Sequence, residues 1–443
     1  MKRKATRRVR VSSGKGEAVW FCLLAGLGAA KAQNVIAPPP STMPQYSVTP
    51  PALQEYETNE MQVFSPSGPA MGEETQPLTW NFVTLHPHVY YSFVSSSGVE
   101  SAPGLQQNTI VQTISPGMLF LLGDHWTLDY TPTLSYYSSS EFQNTLAEAV
   151  QLNGVTAYED WVFTLSQGYN SSSQPLVQTG VQTSQEDYAT GLSAAYQINS
   201  KLSLSLSGAQ TLNYVENTMG ATNAPSATRT WSTLEALSYQ FWPRFNVGIN
   251  AGYGYINQEG GTDMMYEQYG GQANWRATDK LSFSASAGLQ DYQFLASNGA
   301  SDILSPVFSA GLQYQPFDQT KLSLSANRTV SSSYYFVDEA TETSQVSADL
   351  NQRLLGKLTL DVSGGYVTDK YTQSLVGLTL ASRHDDYYTF SVSLSYPFLK
   401  RGTLSAFYSY SENTSNQSGF LVASSSVYSF NSSQAGFSIS YRY

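Results

Sequence analysis

The chain has 443 residues, a formal net charge of −11, one cysteine and 31 tyrosines. Only 12% of its residues are charged, whereas 13% are aromatic. An ordinary soluble domain carries about 25% charged residues, and disordered chains are poor in aromatic residues, so the composition argues against both classes. The acidic balance also argues against nucleic acid as a partner, because its phosphates are bound by clustered Lys and Arg.

Residues 1–32 have the pattern of a cleaved signal peptide. A basic stretch from Lys2 to Lys15 precedes a short apolar run, Val19 to Ala29, and Ala30-Lys31-Ala32 fits a cleavage site. The apolar run is too short to cross a bilayer as a helix. Cys22 lies within the signal peptide, so the mature chain would contain no cysteine for disulfides, thiolate catalysis or metal binding. The mature chain would carry a formal charge of −18.

Residues 33–80 form a proline-rich segment that holds nine of the 19 prolines. Such a composition favours extended, unpaired backbone. We interpret this segment as a periplasmic linker; a plug or a docking segment for a partner are alternatives that the sequence leaves open.

From residue 81 to the end, apolar and small polar residues alternate over many short stretches. Leu202, Leu204 and Leu206 alternate with serines, and the same pattern recurs near residues 281 and 390. Successive side chains of a strand point to opposite faces, so one face of each stretch would meet lipid and the other a wet interior. A single strand of a soluble sandwich would look the same, but the repetition over 81–443 favours an all-β, transmembrane, antiparallel up-and-down β-barrel.

Short turn signals recur about every 30–46 residues, which is the span of two strands and one longer loop. Eight turns separate nine hairpins, which predicts about 18 strands with both chain ends on the periplasmic side. The weakest stretch is 139–160, where Glu148 interrupts an apolar face; without this hairpin the barrel would have about 16 strands. The predicted turns are Gly123-Asp124-His125, Asn153-Gly154, Asn199-Ser200-Lys201, Pro243-Arg244, Thr278-Asp279-Lys280, Asp318-Gln319-Thr320, Gly356-Lys357 and Lys400-Arg401-Gly402.

The last strand is predicted to close the barrel and to carry its assembly signal. Phe437, Ile439, Tyr441 and Tyr443 alternate with small or polar residues, and an apolar terminal strand would be an aggregation-prone edge unless it were paired. This ending resembles the C-terminal signature of bacterial outer-membrane barrels, which implies recognition by the barrel assembly machinery.

The start of the barrel also resembles a known family. Leu85-His86-Pro87-His88-Val89-Tyr90-Tyr91-Ser92-Phe93, then Thr113-Ile114-Ser115-Pro116-Gly117-Met118 and Trp126-Thr127-Leu128-Asp129-Tyr130, are similar to the opening of poorly characterised outer-membrane β-barrel porin families. Some members of these families are linked to exopolysaccharide export. The resemblance covers roughly 85–135, and Ser95-Ser96-Ser97-Gly98 replaces the acidic-Asn sequence expected after the first strand.

We predict no catalytic, cofactor or metal site and therefore no enzyme. His86 and His88 share a strand face and could chelate a metal, but no third ligand is indicated nearby. His384-Asp385-Asp386 could contribute to a hydrolase site with one of many serines, yet acidic residues are common in loops of this type.

The alternation assigns several charges to the lumen, and these nearly cancel. The surplus acids, among them Glu186, Asp385, Asp386 and Glu412, are predicted to lie in external loops and to give a weak cation preference. The pore-lining candidates are Asp129, Arg276, Asp349, Arg353, Asp361 and Arg442.

Barrels of about 16–18 strands are wide enough to leave an aqueous lumen. The sequence therefore predicts a porin-like channel for small hydrophilic solutes in the outer membrane of a Gram-negative bacterium. An accessory barrel for exopolysaccharide export and an occluded structural barrel are the alternatives. The expected partners are outer-membrane lipid, lipopolysaccharide and the assembly machinery, and the oligomeric state is left open.

Overall fold

The computed structural model describes residues 78–102, 104–175, 182–216, 227–295, 302–332, 339–373, 382–418 and 429–443. The predicted signal peptide and the predicted linker up to residue 77 lie outside these ranges. Within them, no helix is long and apolar enough to cross a bilayer.

The regular structure of the described residues consists of antiparallel β-strands. The strands are β1 (Leu78–Trp80), β2 (Val83–Ala102), β3 (Leu105–Leu122), β4 (Trp126–Tyr137), β5 (Thr145–Tyr158), β6 (Trp161–Pro175), β7 (Gln182–Asn199), β8 (Leu202–Glu216), β9 (Ala227–Trp242), β10 (Phe245–Gln258), β11 (Met264–Thr278), β12 (Leu281–Phe294), β13 (Ile303–Phe317), β14 (Thr320–Ser332), β15 (Glu339–Leu354), β16 (Leu358–Gln373), β17 (Ser382–Phe398), β18 (Gly402–Ser418) and β19 (Phe430–Arg442).

Strands β2 to β19 form one closed barrel in chain order. Each strand pairs with the next, and β19 pairs with β2, with Phe437 opposite Phe93 and Tyr441 opposite Val89. Closure leaves the C-terminal strand without a free edge. The prediction of an all-β barrel with 18 strands is therefore confirmed; β1 adds three residues beside the start of β2.

The stretch 139–160 does contribute a hairpin. β5 pairs with β4 and β6, and Glu148 lies on its outer face, where the Tyr130 hydroxyl donates a hydrogen bond to it at 2.8 Å. The acid is thus accommodated without breaking the strand, which excludes the 16-strand count.

Tight turns of two or three residues join the strands at one end of the barrel, which we call the turn end. Seven of the eight predicted turns lie there, but Asn153-Gly154 lies inside β5, and the turn is at Glu159-Asp160. A side chain at Gly154 would overlap the ring of Trp126 across the ladder. The glycine serves cross-strand packing, so the turn predicted from Asn-Gly was wrong. The opposite end, with the other nine connections, is the loop end.

The outer face carries the apolar residues of each strand, and aromatic residues mark its two borders. Beside the tight turns, Trp126, Trp242 and Trp275 are exposed. Toward the loop end, tyrosine hydroxyls donate to carboxylates, as between Tyr269 and Glu267 at 3.0 Å. An apolar belt therefore lies between the tryptophans and these tyrosine–carboxylate pairs, in the manner of outer-membrane barrels.

Candidate pore

All six predicted pore-lining charges lie on the inner face. Residues opposite each other in a ladder share a face. Asp349 lies opposite Ser323 and Ser363, and Asp361 lies opposite Ser393. Each of the six also lies within six residues of a tight turn or of the chain end, so together they line the turn end of the lumen. They are Asp129, Arg276, Asp349, Arg353, Asp361 and Arg442.

Three of these charges come together on β15 and β16. Asn351 lies between Asp349 and Arg353 on β15, and its amide donates a hydrogen bond to Asp361 directly across on β16. Asp361 is therefore a diagonal neighbour of both Asp349 and Arg353, roughly 7–8 Å away by strand geometry. Two acids and one base leave this group with one net negative charge.

A second group surrounds His88. Arg442 lies directly opposite His88 in the closing ladder. The Nε2 atom of His88 is 3.0 Å from the Thr131 hydroxyl and 3.9 Å from Asp129 Oδ1, and Thr131 donates to Asp129 at 2.9 Å. Arg276 stands apart from both groups, opposite Ser282 on β12.

The histidines considered above as ligands or catalysts have separate partners. His86 Nδ1 is 3.2 Å from the backbone oxygen of Tyr443. His384 lies on the outer face, 3.4 Å from Asp386, whereas Asp385 points to the inside of the barrel. Among the residues that the structure describes, no group of three His, Cys, Asp or Glu is placed to hold a metal ion.

A buried ion pair near the loop end was not indicated by the sequence. Arg383 and Asp385 lie on the inner face of β17, with side chains only 5% and 2% exposed. Arg383 Nη2 is 2.6 Å from Asp385 Oδ2, and Arg383 Nε donates to Oδ1 at 3.0 Å. Ser415 and Tyr371 donate to the same carboxylate at 2.6 and 3.3 Å. This carboxylate is fully occupied by donors.

The tip of the β2–β3 hairpin brings a third charge to this pair. Glu100 is 1% exposed, and it lies near enough to Arg383 and Asp385 for their charges to act on it. β18 and β19 lie between β2 and β17 on the wall. Gly98 allows this approach, because it has a positive φ of 74° and a side chain there would overlap the backbone oxygen of Asn431.

The tip of the β14–β15 hairpin also leaves the wall. The pairing of β13 with β14 ends at Phe308 and Arg328, whereas β14 and β15 remain paired as far as Ser332 and Ala340. Above Phe308 the hairpin is therefore free to depart from its neighbour.

Burial shows on which side of the wall this tip lies. Val330 and Ala340 have the alternation of outward-facing residues, yet they are 7% and 0% exposed. They pack in one apolar cluster with Met264, Tyr292 and Val307, which face inward from β11, β12 and β13. The β14–β15 tip thus covers the inner wall. We call this tip and the β2–β3 tip the two inner covers.

The prediction that the surplus acids lie in external loops was wrong for most of those that the structure describes. The strands run further than the apolar alternation indicated, because polar residues continue the ladders toward the loop end. Asp187 and Asp385 face inward in these ladders, whereas Glu186, Asp386 and Glu412 face outward. Glu342 lies opposite Val330 on the β14–β15 tip, where it pairs with Arg328 at 2.8 Å.

The predicted assembly residues lie on the outer face of β19 and just beyond it. Phe437 stacks on Phe93, with ring centroids 5.6 Å apart, and Ile439 and Tyr441 continue the same face. The backbone N–H of Tyr443 donates to Pro87 at 2.8 Å, and the Arg401 guanidinium lies 4.7 Å from the Tyr443 ring. Their recognition by the assembly machinery stays a prediction.

Comparison with solved structures finds similar chains at low sequence identity. Acinetobacter baumannii OccAB3 is 10% identical, with a TM-score of 0.43 over 82% of this chain and 99% of that chain. Pseudomonas aeruginosa OccK11 (OpdR) is 14% identical, with a TM-score of 0.41 over 81% and 95%. No curated protein matches the chain in sequence.

A family model gives the more direct comparison. Residues 236–438, from within β9 to within β19, match the family described as "Putative outer membrane beta-barrel porin, MtrB/PioB". This agrees with the family resemblance seen at the start of the barrel and with the closed sheet described above. Residues 236–438, a little under half of the chain, therefore match an outer-membrane β-barrel porin family, and the protein is one of the outer membrane.

Proposed function

We propose that the barrel conducts small hydrophilic solutes and that the two inner covers narrow its loop end. The observation that carries this proposal is the contrast between the two ends of the lumen. At the turn end, charged side chains such as Asp349 and Arg276 are exposed on the inner face. Barrels of this strand number are wide enough to hold water, and these charges would contact it.

At the loop end the inner wall is covered by protein. Tyr292, Met264 and Asp385 face inward, yet they are 0%, 0% and 2% exposed. A solute that enters from this end would have to pass beside the covers. Passage would therefore favour small solutes over polymers.

The same covers support a second candidate, an occluded structural barrel. The two functions differ in one measurable property, which is the current through a single barrel in a planar bilayer. A narrowed channel gives discrete conductance steps, and an occluded barrel gives none.

The experiment compares the wild type with a variant that displaces the β14–β15 cover. Ala340→Glu places a charge at a position that is 0% exposed and surrounded by apolar side chains, so the tip should leave the inner wall. Ser347→Glu is the matched control, because it adds the same charge to the inner face of the same strand outside the apolar cluster.

Larger steps in Ala340→Glu than in the wild type and the control would support the narrowed channel. If the wild type and Ser347→Glu are silent and only Ala340→Glu conducts, the native barrel is occluded. Silence of all three proteins, with folding verified by heat-modifiable migration, would exclude the channel.

A further inference from the structure

Polar side chains interrupt the apolar belt at one place on the outer face. Gln167 on β6 lies opposite Thr190 on β7, and Thr190 lies opposite Gln210 on β8. Thr233 and Glu235 continue this polar surface on β9. Their outward direction follows from the ladders, in which Gln167 pairs with Leu152 and Glu235 pairs with Leu206. We call these five residues the polar patch: Gln167, Thr190, Gln210, Thr233 and Glu235.

Glu235 lies deeper in the belt than the other outward-facing carboxylates of the described residues. It precedes the turn at Pro243 by eight residues, whereas the others are at least eleven residues from their turns. With a rise of about 3.3 Å per residue and a tilt of about 40°, this places Glu235 roughly 20 Å from the turn level and the others at roughly 28 Å or more. The others are Glu148, Glu186, Glu267, Asp291, Asp386 and Glu412.

The surroundings of Glu235 do not compensate its charge. Leu206 and Ala251 lie directly opposite on the two neighbouring strands. Glu235 is exposed, and it makes no hydrogen bond or ion pair with any residue that the structure describes. Carboxylates nearer the loop end differ, since Glu267 and Glu412 accept hydrogen bonds from tyrosines. An acid held against lipid tails is costly, so its exposure to lipid would destabilise the barrel.

The polar patch contains both hydrogen-bond donors and an acceptor. Thr190 donates to Gln167 at 2.7 Å. The side chains of Gln210 and Thr233 make no hydrogen bond within the described part of the chain, and Glu235 is an acceptor without a donor. A surface of this kind is self-complementary, because the amide and hydroxyl of one copy can donate to the carboxylate of another. Gly208 lies opposite Thr233 and adds no side-chain bulk that would keep two such walls apart.

We infer that the polar patch is the contact surface for a second copy of this chain in a two-fold symmetric dimer. In such a contact the same patch is used on both subunits. Each Glu235 would leave the lipid and accept hydrogen bonds from Gln210 or Thr233 of the other copy. The partner is a second barrel because a lipid tail offers no donor for the carboxylate.

Cysteine cross-linking tests this contact in the outer membrane. The only native cysteine is Cys22, so a single introduced cysteine is a clean probe in the mature chain. Thr233→Cys places it in the patch. Phe390→Cys is the matched control, because Phe390 also faces outward, nine residues from its turn, on the far side of the barrel.

With a short bis-maleimide, Thr233→Cys should give a covalent homodimer and Phe390→Cys should not. The wild type in mild detergent should have twice the monomer mass. Glu235→Leu should lose both the cross-link and the doubled mass, whereas Glu235→Gln, which retains an acceptor, should keep them at least in part.

The inference would be overturned if the wild type were monomeric and Thr233→Cys gave no cross-link, because the patch would then face lipid. In that case Glu235→Leu should raise the urea concentration at the midpoint of unfolding. Equal cross-linking of both cysteines, or capture of a different membrane protein at Thr233→Cys alone, would also overturn it.

Discussion

Removal of the arginine from the buried Arg383–Asp385 pair should destabilise the loop end strongly. Arg383→Met retains much of the side-chain volume but removes the only positive charge of the pair and two donors to the Asp385 carboxylate. Asp385 is 2% exposed, so water cannot replace these donors without local opening. Breaking a buried pair by removing one partner costs about 3–5 kcal/mol, which corresponds to a factor of roughly 10²–10⁴ in the folding equilibrium.

Two further variants separate the charge from the packing. Asp385→Leu combined with Arg383→Met replaces both charges with apolar groups, and such replacements are often close to neutral. The double variant should therefore be more stable than Arg383→Met alone. Tyr371→Phe removes only the longest of the donors, at 3.3 Å, and should cost about 1 kcal/mol.

Urea unfolding of the refolded barrel in detergent, followed by tryptophan fluorescence, gives the free energies for this cycle. Hydrogen exchange of β17 and β18 shows whether the loss is local to the loop end. A cost below about 1 kcal/mol for Arg383→Met would refute the reasoning, because it would mean that the pair is accessible to water in the folded protein.

Three other perturbations have defined outcomes. Gly154→Ala should cost about 1–3 kcal/mol in urea unfolding because its Cβ would overlap the Trp126 ring, whereas Gly168→Ala, whose Cβ would approach only a flexible Gln151 amide, should be nearly neutral. Phe437→Asp should leave the protein in the periplasm, since an acid on the lipid face near mid-membrane destabilises the barrel; normal heat-modifiable protein would contradict this. Asp361→Asn should reduce a weak cation preference at low salt, and reversal potentials should show little preference near 1 M, where screening acts over about 3 Å.

Much of the fold could be predicted from alternation alone. A period of two in stretches such as 202–207 gives the face of each residue, and the spacing of turns gives the number of strands. The same alternation places the six lumen charges on the inner face, because residues such as Asp361 lie on the face of the strand that carries the serines. Local sequence determines these properties, because each depends only on neighbours within one hairpin.

The wrongly predicted turn at Asn153-Gly154 shows that a glycine in the sequence can have two different structural causes. Glycine is favoured in a tight turn, but it is equally required where a large ring lies across a strand. The ring belongs to Trp126 on the preceding strand. Distinguishing the two causes needs the register between strands, and sequence spacing alone does not provide it.

The two inner covers lay beyond sequence reasoning for a related reason. Alternation gives a side chain's direction relative to its own strand, and it does not say whether the strand stays in the wall. Val330 and Ala340 have outward alternation, so lipid contact would be the sequence prediction for both. They are buried because β14 separates from β13 above Phe308 and lies on the inner side of β13. There the two residues pack in a cluster with Tyr292, which is distant in sequence.

The residues that break the apolar-outward, polar-inward pattern are therefore the ones that indicate function in this barrel. They are of two kinds. An outward-alternating apolar residue that is buried, such as Ala340, marks a segment that has turned inward and narrows the lumen. An outward-alternating acid that remains exposed inside the apolar belt, such as Glu235, marks a wall that lipid does not cover. Packing in the apolar cluster stabilises the first kind, whereas the second stays unfavourable until a polar partner arrives. For this reason a contact between barrels is expected at β9, and not at β14 or β15.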